Sequence, residues 1–290
     1  MDLVSLTTEE VRNLFKYRNV ILIGDSIVRG IYKDLCCVLT GNNRLLSPIE
    51  MKFNRRQLKQ ETLFGETIEK FRINRTNSTF NIEQRSLKSE TFGYDIIYVF
   101  TSRIWNQQMI QLLSSLNEYD IIIINSQIWD LSSYKDYNGE LYMKNLDTFF
   151  SKISYMKSKI IWLSNAPINN SKDSNLSRVL SRTNPLTVSK AQQYDIHTLD
   201  LYAKMKDYME LLSNDGVHWT PQGQRMITKF LIDLLSHLPQ QSNVQDHIQQ
   251  PPLDETNNSI NNNNSSGPSS NINFTNRRDI GTDTMPVQKL

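Results

Sequence analysis

Residues 19–26, which read Asn-Val-Ile-Leu-Ile-Gly-Asp-Ser, decide the fold of this chain. The apolar run at 19–23 is typical of a strand that is buried on both faces of a sheet. From Ser26 to about residue 39, apolar residues recur at helical spacing, for example at positions 27, 31, 35 and 39. Gly24 and Asp25 therefore form a strand-to-helix turn, and Ser26 is predicted to lie at the start of the helix.

The alternation of apolar strands and amphipathic helices continues along the chain. Four further strands are predicted, at 94–100, 120–125, 159–164 and 196–201. The predicted helices are a short one capped by Thr7 or Thr8 and others at 104–116, 141–156, 184–193, 202–212 and 221–238. This pattern predicts an α/β domain with three layers, in which helices cover both faces of a parallel sheet.

The polar stretch at 42–89 departs from this alternation. It favours a short helix near 48–59 and a β-hairpin over 61–87, with its turn near 74–78. After residue 238 the sequence becomes rich in Gln, Asn, Ser and Pro and has one aromatic residue, Phe274. Such a segment cannot bury enough apolar surface to offset the entropy of ordering it. We therefore predict one domain at 1–238 and a disordered tail at 239–290.

Charge and cysteine content favour some classes of protein over others. The net charge is +2, and the tail holds three basic and five acidic residues, which leaves the domain near +4. This is too weak a basic character to predict nucleic-acid binding. The two cysteines, Cys36 and Cys37, are adjacent, so no internal disulfide is expected. With neither a signal peptide nor an 18-residue apolar run, the sequence predicts a cytoplasmic or nuclear protein without a membrane span.

Ser26 is the first candidate for chemistry. Ligands of such sheets bind beyond the carboxyl ends of the strands, which is where Ser26 is expected. A helix N-terminus also offers unpaired N–H groups and a positive dipole end, which stabilise an oxyanion. The alternative is that Ser26 only caps the helix.

Asp215 and His218 are the matching candidates for a base and its orienting acid. The spacing Asp-x-x-His in a Gly-containing loop lets the carboxylate bind one imidazole nitrogen while the other nitrogen points at a third group. The alternatives are a surface loop in which Asp215 caps a turn, or a metal site. One His and one Asp are too few ligands for a closed zinc site, so no metal or cofactor is predicted.

Weaker candidates surround the predicted triad. Asn125 ends the central strand, where its amide could donate to an oxyanion, or could only close the strand. Gly65 could offer a backbone N–H. Arg29 and Arg103 could bind an anionic group of the substrate, or form ordinary salt bridges.

Three blocks of sequence resemble a known family. Gly24-Asp25-Ser26 and Asp215-x-x-His218 resemble the GDSL/SGNH hydrolase superfamily. The longer strings at 23–35, 123–134 and 215–219 are similar to the PC-esterase family, specifically the PC-esterase domain-containing protein 1 group. The chain departs from the sequence blocks that describe the broader superfamily. The third of those blocks usually reads Gly-x-Asn-Asp, whereas this chain has Gln127-Ile128-Trp129-Asp130. The second contains a glycine that has no match near 101–103 in this chain.

The resemblance implies a flavodoxin-like fold, with Ser26 as nucleophile, His218 as base and Asp215 as its orienter. It also implies an esterase that acts on acylated glycans or other small esters. Transfer of the acyl group to an alcohol, and a catalytically silent binding domain with protein partners on the tail, remain open alternatives.

Overall fold

A computed structural model describes residues 6–41, 43–51, 67–75, 81–169 and 174–239. Within them, seven strands form one sheet in the order β2-β3-β4-β1-β5-β6-β7. The strands are Asn19–Gly24 (β1), Thr67–Arg75 (β2), Asn81–Ser89 (β3), Tyr94–Phe100 (β4), Ile121–Ile124 (β5), Lys159–Leu163 (β6) and His197–Leu199 (β7). Apart from residue 239, the predicted tail lies outside the described residues, as does Gly65.

Five adjacent strands of the sheet run parallel, in the spatial order β4, β1, β5, β6 and β7. Counted in chain order among themselves they follow the order 2-1-3-4-5, which is the flavodoxin-like arrangement. The prediction of a three-layer α/β fold of this type is therefore confirmed. The hairpin predicted over 61–87 is present as well, because β2 and β3 pair antiparallel and extend the sheet at its β4 edge.

The helices of the described residues differ in length and position. They are Thr8–Phe15 (α1), Ser26–Leu39 (α2), Pro48–Met51 (α3), Gln107–Leu113 (α4), Ile128–Leu131 (α5), Glu140–Ile153 (α6), Ser174–Gln193 (α7), Leu201–Met205 (α8) and Pro221–His237 (α9). Two 3₁₀ turns lie at Leu116–Glu118 and Met209–Leu211.

Alternate residues of β1 serve two separate apolar cores. Val20 and Leu22 pack in a core that α1, α2 and α9 complete. Ile21 and Ile23 pack in the opposite core, with side chains of α4 and α6. Because both faces of β1 are covered, its continuous apolar sequence is the one that a central parallel strand requires.

Several predicted boundaries are corrected by local capping. The helix predicted at 104–116 is α4, which begins only at Gln107. The Asn106 side chain accepts the Met109 N–H at 2.8 Å and so caps the helix at that point. The strand predicted at 196–201 ends at Leu199, because Asp200 accepts the Ala203 N–H at 3.1 Å and starts α8. The helix predicted at 202–212 is correspondingly short.

Helix α7 is much longer than the predicted segment 184–193. It begins at Ser174 and continues through Pro185, a residue that usually interrupts a helix. Its first half carries the apolar residues Leu176, Val179 and Leu180, which pack in a third buried cluster. Tertiary packing therefore outweighs the local preference of proline.

Helices α2 and α9 are joined by a buried ion pair. The Arg225 Nε donates to Asp34 Oδ2 at 2.8 Å, and both side chains are almost fully buried. The same guanidinium donates to Asn43 Oδ1 at 2.8 Å and to the Arg44 carbonyl at 2.8 Å. These bonds tie the beginning of α9 to the second half of α2 and to the loop that follows it. Among the described residues, no helix has the length and apolarity needed to cross a membrane.

Candidate active site

Ser26 lies at the first position of α2, directly beyond the carboxyl end of β1. Asp25 is the N-cap, and its Oδ1 accepts the Ile27 N–H at 2.9 Å. The Tyr98 hydroxyl, from β4, donates to the Asp25 carbonyl at 3.0 Å. At Gly24, a Cβ atom would lie 2.9 Å from the Asn125 carbonyl oxygen, so only glycine lets the two strand ends approach this closely. The turn that presents Ser26 is therefore held from both neighbouring strands.

His218 lies in the loop that leads into α9. The loop is closed by backbone hydrogen bonds, from Ser213 N–H to the His218 carbonyl at 2.7 Å and from Thr220 N–H to the Leu211 carbonyl at 2.8 Å. Trp219 is buried in the core that α2 and α9 share, and it anchors the loop beside the imidazole. His218 is thus placed by its neighbours in sequence rather than by its own packing.

Asp215 organises this loop and binds the imidazole. Its Oδ1 accepts the N–H groups of Val217 and His218, both at 2.9 Å, and its Oδ2 lies 2.7 Å from His218 Nδ1. Burial disfavours the charged carboxylate, but those N–H groups and the imidazole outweigh it and lower the pKa of Asp215. An ionised carboxylate can only accept, so the proton of the neutral ring lies on Nδ1, and Nε2 is left as an acceptor.

The other imidazole nitrogen faces the serine. His218 Nε2 lies 2.8 Å from Ser26 Oγ, although the two residues are 192 positions apart in the chain. The side chains of His218 and Asp215 are 45% and 52% exposed, so the imidazole and carboxylate are open to solvent. In this geometry the imidazole can take the hydroxyl proton while the carboxylate stabilises the imidazolium that forms.

Asp25 and Arg29 form the buried surroundings of Ser26. Burial raises the pKa of the Asp25 carboxyl, and the Ile27 N–H, the positive charge of His218 in its protonated form and that of Arg29 offset this only in part. Arg29 lies one turn after Ser26 and is 5% exposed. It therefore contributes positive charge near Asp25, and its direct contact with a substrate stays a prediction.

Asn125 is fully buried, and its Nδ2 donates to the Leu163 carbonyl at 2.9 Å. At least one of its amide N–H bonds thus ties the end of β5 to β6. Its role as an oxyanion donor stays a prediction, and the same role for Gly65 falls outside the described residues.

A network of buried amides beyond β5 and β6 was not predicted from the sequence. Gln127 has a φ of 137°, a conformation that side-chain-bearing residues rarely adopt. Its side chain donates to Thr183 Oγ1 and accepts the Asn165 Nδ2 at 2.9 Å. Asn184 in turn accepts the Asn165 N–H at 3.1 Å. The sequence showed that Gln127 and Asn165 follow parallel strands. It did not show that they bind each other or that their further partners, Thr183 and Asn184, lie on α7.

A second arrangement links the ends of β4 and β5, and it contains the salt bridge that was one of the two alternatives for Arg103. Arg103 Nε donates to Asp130 Oδ1 at 3.0 Å, and its guanidinium lies over the Tyr134 ring, 4.3 Å from the centroid. Burial raises the pKa of Asp130, and the hydrogen bond from Arg103 offsets it only in part. No three His, Cys, Asp or Glu side chains of the described part of the chain are grouped in a way that could hold a metal ion.

The chain is similar to curated proteins named PC-esterase domain-containing protein 1A and 1B, although no family model matches it. The 1B protein of Mus musculus is 25% identical over an alignment of length 265, and the match covers 79% of this chain and 58% of that protein. The 1A protein of Homo sapiens is 25% identical over an alignment of length 254, and the match covers 80% of this chain and 54% of that protein. The predicted resemblance to this group is confirmed, and the chain spans a little over half the length of these relatives.

Solved structures that resemble the chain include two bacterial enzymes. A lipase/acylhydrolase from Enterococcus faecalis has a TM-score of 0.47 and 13% identity, over 78% of this chain and all of that one. A GDSL-like lipase from Bacteroides thetaiotaomicron has a TM-score of 0.48 and 14% identity, over 76% of this chain and 88% of that one.

Proposed function

We propose that this domain is a serine esterase that forms an acyl-enzyme on Ser26, with His218 as general base and Asp215 as its orienting acid. The observation that carries the proposal is the chain of two contacts, 2.8 Å from Ser26 Oγ to His218 Nε2 and 2.7 Å from Nδ1 to Asp215 Oδ2. Both are within the range expected of an activated nucleophile. The names of the curated relatives support the same reaction class.

The reaction begins with attack of Ser26 Oγ on the ester carbonyl carbon. His218 Nε2 removes the hydroxyl proton as the bond forms, and the carbonyl oxygen becomes negatively charged. The N-terminal end of α2, a helix of 14 residues, favours negative charge at this position. The protonated imidazole then gives its proton to the leaving alcohol, and the acyl group stays on Ser26 as an ester.

The second half of the reaction decides between hydrolysis and transfer. Water that is deprotonated by His218 releases the acyl group as an acid, whereas an alcohol or a sugar hydroxyl would carry the acyl group away as a new ester. Because the imidazole and carboxylate are open to solvent, water can reach the acyl-enzyme. We therefore favour hydrolysis, with acylated glycans or other small esters as the substrate class that the family resemblance implies.

A fluorophosphonate reagent tests the nucleophile without knowledge of the substrate. Wild-type protein should be labelled, Ser26→Ala should not be, and His218→Ala should react at least about 100-fold more slowly. Ser236 and His237 provide a matched control. They also form a Ser–His contact, 3.3 Å from Oγ to Nδ1, but an exposed one at the end of α9. Ser236→Ala and His237→Ala should leave labelling unchanged, and an unlabelled wild type would refute the proposed function.

A further inference from the structure

The ion pair between Arg103 and Asp130 spans the carboxyl end of β1. Arg103 follows β4 and Asp130 follows β5, and β1 lies between these two strands. Neighbouring strands are about 4.8 Å apart, so the ends of β4 and β5 are separated by roughly 10 Å, with the end of β1 between them. The Thr101 N–H donates to the Gly24 carbonyl at 3.0 Å, so Arg103 and Ser26 each lie two residues beyond the same point of contact. Arg103 and Ser26 therefore follow adjacent strands at the same edge of the sheet.

The guanidinium of Arg103 is held on two sides. Its Nε is bonded to Asp130, which is 1% exposed and also accepts the Ser126 hydroxyl at 3.3 Å. Its flat face lies on the ring of Tyr134, whose hydroxyl is bonded to Ser102 Oγ at 3.0 Å. A long side chain that is fixed in this way has already lost most of its rotamer freedom, so it can bind a ligand at a reduced entropy cost.

The outer edge of the same guanidinium is open. The Arg103 side chain is 23% exposed, and within the described residues its Nη1 and Nη2 have no hydrogen-bond partner. Both nitrogen atoms are exposed to solvent rather than buried without a partner. Two parallel N–H groups on a fixed arginine fit the two oxygens of a carboxylate. Asp130 already satisfies Nε, so the open edge is not needed to hold the fold together.

We propose that Arg103 is a specificity residue that binds a negatively charged group, carried by the ester substrate close to the scissile bond. The inference rests on the proposed esterase function and adds the charge of the substrate to it. The geometry serves a carboxylate on either side of the ester bond, in the acyl group or in the alcohol, and the test distinguishes the two.

The experiment compares matched charged and neutral esters with purified full chain. For the alcohol side the pair is 4-acetoxybenzoate and its methyl ester. For the acyl side the pair is the mono-4-nitrophenyl ester of adipic acid, which keeps one free carboxylate, and 4-nitrophenyl methyl adipate, in which that carboxylate is methylated. The quantity measured is the ratio of kcat/KM for the charged member to that for the neutral member, with Ser26→Ala subtracted as the background.

Arg103→Gln should lower this ratio about 10- to 100-fold for one of the two pairs, which is the effect of losing a charge-assisted hydrogen-bonded contact. The loss should fall on KM, and Arg103→Lys should keep part of the preference, since the charge stays and the fork is lost. The control is Arg12→Gln. Arg12 is likewise bonded through Nε, to the Leu39 carbonyl at 2.8 Å, and stacked on a ring, but at the opposite end of α2. The ratio of kcat/KM for the charged and neutral esters should be the same in Arg12→Gln as in wild type.

Removal of Arg103 alone leaves Asp130 buried without its cation, which can destabilise the fold. The double variant Arg103→Gln with Asp130→Asn keeps the site neutral, and it should show the same lowered ratio. Ratios equal to wild type in both variants, for both pairs, would overturn the role of Arg103 and leave the esterase intact. If wild type hydrolyses none of the four esters in a Ser26-dependent way, the esterase proposal and this inference fall together.

Discussion

Replacing Asp215 by asparagine should inactivate the site by forcing the wrong tautomer on His218. Oδ1 of Asp215 accepts two backbone N–H groups, from Val217 and His218, each at 2.9 Å. In Asp215→Asn only the amide oxygen can take this place, because an NH₂ group there would leave both donors unpaired. The amide nitrogen must then face His218 Nδ1. The ring proton moves to Nε2, which can no longer accept the proton of Ser26.

The size of the effect follows from the loss of general-base catalysis. We expect kcat to fall about 10²- to 10⁴-fold, or about 3–5.5 kcal/mol in activation free energy, with little change in KM. The exposure of Asp215, 52%, favours the lower half of this range, because water can partly replace the carboxylate. Asp215→Ala removes the acid without imposing the wrong tautomer, so Asp215→Asn should be at least as inactive as Asp215→Ala.

The assay is the rate of fluorophosphonate labelling, together with the hydrolysis of 4-nitrophenyl acetate at neutral pH. Asp233→Asn is the matched control, because Asp233 is a surface carboxylate that pairs with Lys229 on α9. Thermal unfolding should show all three variants folded. If Asp215→Asn keeps more than about a third of the wild-type labelling rate, or is clearly more active than Asp215→Ala, the tautomer argument is wrong.

Three further predictions concern stability. The hydrogen bond from Arg44 lowers the pKa of Glu50 to about 2 from its ordinary value of 4.5. The stabilisation that this ion pair gives the fold is complete above pH 4.5 and is lost as the pH falls towards 2. The melting temperature of Glu50→Gln should therefore depend less on pH across this window than that of wild type. Arg225→Met leaves Asp34 buried and unpaired and should cost about 3–5 kcal/mol in the free energy of unfolding, whereas Arg225→Met with Asp34→Leu should recover much of it in urea titrations; equal midpoints for wild type and the single variant would contradict this. Gly24→Ala brings a Cβ against a backbone oxygen, so we expect a lower melting temperature and slower fluorophosphonate labelling together, and a variant unchanged in both would show that the strand ends can separate freely.

Most of the central fold was predictable because its elements are encoded locally. The apolar runs of β1, β4, β5 and β6 were recognisable, since a strand that is buried on both faces must be apolar throughout. Helix α2 was predicted with the same bounds that it has in the structure, because its apolar residues recur at helical spacing directly after an apolar strand. The elements that were predicted poorly, α7 and β7, depend on packing or on caps that a periodicity argument does not weigh.

The two halves of the candidate site differ in the same way. Asp215 and His218 are three residues apart, so their contact could be argued from a short loop. The contact between Ser26 and His218 closes over 192 residues, and it required both the family resemblance and the rule that parallel strands end at one edge. Its distance could not be derived from either.

The sequence by itself determined which residues are available and, for β1, β4, β5 and β6, where the strand ends to within one residue, because apolar periodicity and turn chemistry are local properties. Tertiary structure alone decided what the polar groups at those ends do. It engaged the amide of Asn125 with β6, buried Arg29 beside Asp25, and carried Arg103 across β1 to Asp130. The physical reason is that a buried polar side chain must find a partner, and the partner that it finds depends on strand order and helix packing, neither of which is written at the residue itself.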